Sequence, residues 1–207
     1  MSLFLNRIGI VLIAVCAAST LLSVLAGSVL PAATPPLFSV CELPCVVGIQ
    51  PGKTEFQGAL SILHENLQDL YVEPLQTSPT APLNFSGHIG GYIVRGTVTR
   101  VGDRVRSLTI VDDVRLIDLM GTLNTPSCMY TERIISEVST LAMVQWRLSD
   151  GVTATAFLNI DRQNSWEAYA VVRSLRFSVS DAACRSGRLE PRMWQGFPQF
   201  WRFRFTE

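Results

Sequence analysis

Tyr92-Ile93-Val94-Arg95-Gly96-Thr97-Val98-Thr99-Arg100-Val101, followed by Gly102-Asp103 and then by Arg104-Val105-Arg106-Ser107-Leu108-Thr109-Ile110-Val111, decides the fold class. In the first run Tyr92, Val94, Gly96 and Val98 alternate with Arg95, Thr97 and Thr99, the period of a strand with one apolar face. Gly102-Asp103 is turn chemistry, and the second run returns, so the stretch predicts an antiparallel hairpin. The pattern recurs downstream. Residues 140–148 and 152–159 flank Ser149-Asp150-Gly151 and predict a second hairpin, and residues 170–179 predict a further strand.

Upstream, Thr54-Glu55-Phe56-Gln57 reads as a capping box, in which the Thr54 hydroxyl and the Gln57 side chain each serve the other residue's amide. Phe56, Ala59, Leu60, Leu63 and Leu67 recur at helical spacing, which predicts a helix over residues 55–66. A second helix is expected over residues 116–123, closed by Asn124 in a left-handed conformation and stopped by Pro126. Pro74, Pro79, Pro82, Gly87 and Gly90 predict a long loop over residues 74–90. At the end, Trp201, Phe203 and Phe205 alternate with Arg202 and Arg204 as in a one-sided strand. The order predicts an α+β fold, with short helices packed on antiparallel sheet. Two tandem helix-plus-sheet units are expected, residues 41–111 and 112–207.

Residues 8–30 form an uncharged, mostly apolar run preceded by Arg7. It is long enough to span a bilayer as a helix, and longer than the usual secretory core. Val24-Leu25-Ala26 and Ala26-Gly27-Ser28 both place small residues where a signal peptide is cut. A signal anchor and a cleaved signal peptide therefore both stand open. Cys16 follows Val15, where a lipoprotein needs a small residue, so it reads as a lipid-facing side chain. Residues 31–52 carry Glu42 and no base, so the positive side is the N-terminal one and the rest is expected outside the cytoplasm. The expected organisation is a signal anchor or signal peptide (1–30), an extended proline-rich linker (31–40) and an exported domain (41–207). That domain is then membrane-anchored, or secreted if the segment is cut.

Cys41, Cys45, Cys128 and Cys184 lie on the exported side, and an even number there predicts two disulfides. The sequence leaves all three connectivities open. There is no C-x-x-C, and His64 and His88 are far apart, so no metal centre is expected. Lys+Arg 17 balances Asp+Glu 17, which gives no general field for nucleic acid.

Gly48-Ile49-Gln50-Pro51-Gly52-Lys53-Thr54 before the first helix, and Leu123-Asn124-Thr125-Pro126 after the second, are similar to the helix motif of the small outer-membrane lipoproteins that assist barrel assembly. The resemblance implies the α+β fold shared with beta-lactamase-inhibitor-like domains, where helix-plus-sheet units occur in tandem. Asn124 stands where that motif has glycine, and the lipobox of those proteins is missing. Pro44-Cys45-Val46-Val47-Gly48-Ile49-Gln50-Pro51-Gly52-Lys53-Thr54 and Thr125-Pro126-Ser127-Cys128 resemble a group of uncharacterised bacterial exported proteins. That group opens with P-C-W-x-G-I-x-P-G-x-T, so Val46 replaces its tryptophan. The group implies no catalytic residues. Together the matches cover about a sixth of the chain.

Several constellations bear on chemistry. Gly52-Lys53-Thr54 lacks the first glycine of a P-loop at its required place, so no nucleotide is expected. Asp112 and Asp113 read as turn residues, and Asp118 as an exposed helix residue. His64 fits the last turn of the first helix. Ser86 and His88 meet in a glycine-rich loop without a nucleophile elbow. Trp194, Phe197, Phe200 and Trp201 form a candidate binding surface, against the reading that they are the core side of a last strand. The favoured reading is an exported envelope domain that binds a protein or polymer without catalysis or cofactor, with residues 8–30 in the membrane. The alternative is an exported hydrolase using Ser86 and His88.

Overall fold

The structure is a computed structural model and describes residues 13, 15–19, 35–73, 81–111, 114–133, 139–161, 170–180, 184 and 192–194. The chain divides into two compact units, Met1–Ala33 and Thr34–Glu207. In the first, residues 13 and 15–19 are helical. No helix among the described residues is long and apolar enough to cross a membrane.

The second unit opens with a 3-10 turn (Pro36–Phe38). It continues through α1 (Phe56–Asn66), β1 (Gln68–Val72), β2 (Leu83–Ile89), β3 (Tyr92–Val101), β4 (Arg104–Val111), β5 (Val114–Arg115) and α2 (Leu116–Leu123). Then come β6 (Cys128–Arg133), β7 (Ser139–Arg147), a 3-10 turn (Ser149–Gly151), β8 (Val152–Asp161), β9 (Val171–Val179) and β10 (Arg192–Met193). The fold is α+β. The strands form one antiparallel sheet in the order β1-β2-β3-β4-β9-β8-β7-β6-β10, with β5 pairing β9 beside it. A helix followed by four strands paired in sequence order thus occurs twice. The last strands of the two runs, β4 and β9, join them.

Alternation along each strand sends one set of side chains to a single face. Leu83 and Phe85 of β2, Val94 and Val98 of β3, Leu108 and Ile110 of β4, and Leu175 and Phe177 of β9 are buried there. Ala154 and Ala156 of β8 and Val144 and Trp146 of β7 continue the layer. The same cluster takes in Phe56, Ala59 and Leu63 of α1 and Leu116, Leu119 and Leu123 of α2. Both helices therefore cover the same face. Gly96 belongs to this layer because a Cβ there would lie 2.6 Å from the Phe85 ring and 2.7 Å from the Thr109 carbonyl oxygen. A glycine inside a strand marks such a close approach.

Both expected hairpins, the second helix and the strand over 170–179 form. Asn124 carries a positive φ (65°), with an extended ψ (−156°) rather than a left-handed one. Three expectations need correction. The capping box does not form: Glu55 is the N-cap and makes no side-chain cap bond. Thr54 Oγ1 instead accepts the Gln50 N–H at 2.9 Å. The Phe56 N–H donates to Asp103 O at 2.7 Å, and the Val105 N–H donates to Thr54 O at 2.9 Å. A distant hairpin thus satisfies the first amide of α1, which a local cap would otherwise have to serve.

The loop expected over 74–90 is, from Leu83 to Ile89, the strand β2. Pro82 precedes that strand, a position that costs no ladder bond. Gly87 serves packing: a Cβ there would lie 2.9 Å from Leu67 Cβ. β1, which the sequence reading missed, is a short edge strand with little alternation and a bulge between Gln68 and Tyr71. Lastly, the extended linker over 31–40 gives way at the 3-10 turn. There Leu37 (1%) and Phe38 (7%) are buried, and Phe38 packs edge-on against Phe177.

The two four-strand runs share a detail. A bulge falls between Thr99 and Arg100 against β4, which makes Arg106 the extra residue. Another falls between Phe157 and Leu158 against β9, which makes Arg173 the extra residue. Around them the chain reads Val105-Arg106-Ser107-Leu108 and Val172-Arg173-Ser174-Leu175, the same four residues twice.

Candidate functional site

The face of the sheet away from the helices carries the other half of each alternation. In its middle a row runs Asn84, Thr97, Thr109, Arg176, Thr155, Gln145, Cys128, one residue in register from each of β2, β3, β4, β9, β8, β7 and β6. Thr97 Oγ1 donates to Asn84 Oδ1 at 2.8 Å, and Asn84 Nδ2 donates to Glu73 Oε2 at 2.7 Å. Gln145 Nε2 donates to Thr155 Oγ1 at 3.3 Å. Thr99 and Ser107 share a hydroxyl–hydroxyl bond at 2.7 Å, and Thr153 Oγ1 donates to Ser180 O at 3.1 Å. Buried hydroxyls need such partners, and these have them.

The two halves of this face differ. On the C-terminal half Thr153, Thr155, Cys128 and Tyr130 are all buried. The disulfides are Cys41–Cys45 and Cys128–Cys184. The second holds Cys184 against the face, where its backbone N–H donates to Gln145 Oε1 at 3.1 Å. Burial pushes the Tyr130 phenol pKa up, and its oxygen has no hydrogen-bond partner among the described residues. On the N-terminal half Tyr71 (61%), Ile93 (52%) and Val111 (52%) are exposed, and so is Arg95. They are neighbours: Tyr71 is opposite Ser86, Ser86 opposite Arg95, and Arg95 opposite Val111. Scattered exposed apolar residues need no explanation, but a contiguous set with an arginine and a tyrosine is the composition of a binding surface.

His88 lies on β2, a paired strand, and not on a loop. It shares the open face with Ser86, two residues away. The Asp69 carboxylate stands 3.7 Å from His88 Nδ1, and that nitrogen makes no hydrogen bond among the described residues. Asp69 is at the β1 bulge with φ 49° and is highly exposed. The structure thus brings Ser86, His88 and Asp69 to one face. The separation of imidazole and carboxylate exceeds hydrogen-bond reach. Of the aromatic set, Trp194 packs half-buried against the core cluster, while Phe197, Phe200 and Trp201 lie outside the described residues, as does the expected terminal strand beyond Trp194. Asp112 and Asp113 lie outside them too. Asp118 is half-buried in the first turn of α2 rather than fully exposed. Among the described residues no group of His, Cys, Asp and Glu could hold a metal ion.

Lys53 is engaged with the other run of strands. Its Nζ lies 2.9 Å from Asp150 Oδ2, which also accepts from Gln50 Nε2 at 3.0 Å. The Lys53 bond and charge hold the Asp150 pKa below its ordinary value. A carboxylate depressed in the folded state stabilises above its unfolded pKa, and that contribution fades as pH falls through the folded value. Lys53→Ala should therefore barely change the melting temperature at neutral pH, because the pair is exposed. It should flatten the dependence of melting temperature on pH below about 4. An unchanged acid limb in thermal melts at several pH values would disprove the coupling.

These features define a class: an α+β domain whose helices cover one face of a broad antiparallel sheet and leave half of the other open. Comparison with protein-family models, with curated proteins and with solved structures finds no match for this chain.

Proposed function

We propose that this chain is an exported envelope domain, membrane-tethered or secreted, that binds a protein or polymer through the open half of its sheet and performs no chemistry. The observation that carries this reading is the exposed set Tyr71, Ile93, Arg95 and Val111 on the face opposite the helices. Two disulfides in the folded unit suit an oxidising compartment. The repeated bulge and its Val-Arg-Ser-Leu quartet favour two tandem units meeting at β4 and β9. The membrane is reached through residues 8–30.

The test uses intact envelopes and the tethered protein. Val111→Asp places a charge on an exposed strand position and should leave the melting temperature within about 2 °C, as surface changes usually do. Capture of envelope material should drop by about tenfold or more, as at an interface anchor. Capture that survives Val111→Asp and Tyr71→Ala together would end this reading.

The alternative, an exported hydrolase, is favoured by one observation, the placement of Asp69 behind His88 on the face that also holds Ser86. Hydrolysis of ester or amide probes that disappears in both Ser86→Ala and His88→Ala would establish it.

A further inference from the structure

The open half of the sheet carries both signs of charge, and strand register fixes where each stands. Tyr71 is opposite Ser86, Ser86 opposite Arg95 and Arg95 opposite Val111, one residue from each of β1, β2, β3 and β4. Across the sheet this row reads apolar, small, arginine, apolar. The row beside it runs Glu73, Asn84, Thr97, Thr109, Arg176, with the Glu73 N–H donating to Asn84 O at 3.1 Å. Over the open strands it begins with an acid and ends with a base. Asp69 adds a second acid on β1, beside His88. Acids therefore line the β1 margin, while Arg95 on β3 and Arg176 on β9 stand further in, both exposed.

We propose that the open half docks face to face on the open half of a second copy of this chain, about a two-fold axis that runs along the strands between β2 and β3. The proposal rests on the binding reading above and names its partner. Such an axis reverses each row and lays it on itself, so every contact occurs twice. Tyr71 then lies over Val111 of the second copy, a ring on an aliphatic side chain. Arg95 lies over the second copy's Ser86, the longest side chain of the row over the shortest. Ile93, opposite His88 in its own sheet, lies over the second copy's His88. Glu73 lies level with Arg176 of the second copy, one strand spacing, about 5 Å, across the sheet. Charge fixes the direction of the axis. A two-fold across the strands would lay β1 on β1 and β9 on β9, and so set acids against acids and arginine against arginine. Charge also selects the occupant. A purely acidic or purely basic partner leaves half of the charges on this face unmatched, whereas a reversed copy of the face matches both.

The test mixes full chains in detergent, one carrying a donor and the other an acceptor fluorophore, and reads energy transfer over concentrations up to about 100 µM. The native chain should associate saturably. Ser86→Arg sets two guanidinium groups against each other and should abolish association. Arg176→Glu and Glu73→Arg should each weaken it by about tenfold. Donor-labelled Arg176→Glu mixed with acceptor-labelled Glu73→Arg should regain the native affinity, because opposite charges then meet at both places. Arg147→Glu, on the C-terminal half, should change affinity by less than about twofold. Thermal melting checks that each variant folds, and if Ser86→Arg does not, the charge-exchange pair decides alone. Association that survives Ser86→Arg, or a mixture that stays as weak as its components, overturns the proposal. If the native chain shows no energy transfer while envelope capture still depends on Val111 and Tyr71, the proposal falls and the binding reading stands. If neither is seen, both fall.

Discussion

Replacing Trp146 with alanine should destabilise the folded unit by about 3–5 kcal/mol, the range for a fully buried aromatic. Trp146 is 1% exposed and is the bulkiest fully buried side chain among the described residues. It sits on the core face of β7, opposite Ala154, a small neighbour that leaves it room. Its indole Nε1–H donates to Asn124 O at 2.9 Å, at the residue that closes α2. Alanine would thus open a cavity under the second run of strands. It would also leave a carbonyl at the helix end without its partner, a loss of about 1–3 kcal/mol where that carbonyl stays buried. Trp146→Phe should recover most of the packing and lack only the hydrogen bond. Urea unfolding of the three proteins separates these parts. A loss below about 1.5 kcal/mol for Trp146→Ala would show that this ring does not anchor the core.

Removing the second disulfide through Cys128→Ala and Cys184→Ala should cost about 4 kcal/mol, because the bridge closes a loop of 56 residues in the unfolded chain. The Cys41–Cys45 bridge spans a separation of 4 and should contribute about half as much by the same reasoning. The larger loss has a local side as well. Without the bridge, the bond to Gln145 is what remains among the described residues to hold Cys184 on the sheet. The C-terminal half should then exchange its amides faster, while the N-terminal half keeps its protection. Hydrogen exchange reads this directly, and equal acceleration of both halves would contradict the division of the face. Alkylation with a membrane-impermeant maleimide, before and after reduction, also tests export. Four thiols that react only after permeabilisation, without any reductant, would place the domain in the cytoplasm.

The new candidate residues came from places where the sequence signal is weak. Tyr71 lies on an edge strand with a bulge, where one-sided alternation is lost. Ile93 and Val111 look like core residues by composition, yet Ile93 shares the phase of Arg95 and Thr97, Val111 that of Thr109, and the register against His88 and Arg95 brings them together on the open face. Val-Arg-Ser-Leu was available in the sequence twice. It becomes a signal once both copies are seen to lie in the joining strands β4 and β9, each around a bulge. His88 was misplaced because glycine is ambiguous. Gly87 reads as loop chemistry, yet here it lets β2 pack against Leu67.

By itself the sequence determined the local elements whose causes are local. Period-two alternation with Gly102-Asp103 made one hairpin, and Ser149-Asp150-Gly151 made the other. Helical spacing of Leu116, Leu119 and Leu123 made α2, and the cysteine count gave two bridges without their pairing. Tertiary structure alone decided what depends on residues far apart in the chain. It chose Cys128–Cys184, replaced the cap of α1 by a hairpin carbonyl, joined the two runs at β4 and β9, and covered one half of the open face while leaving the other exposed. The physical reason is that periodicity fixes which side chains share a face, whereas what comes to lie on that face is set by packing across the whole chain.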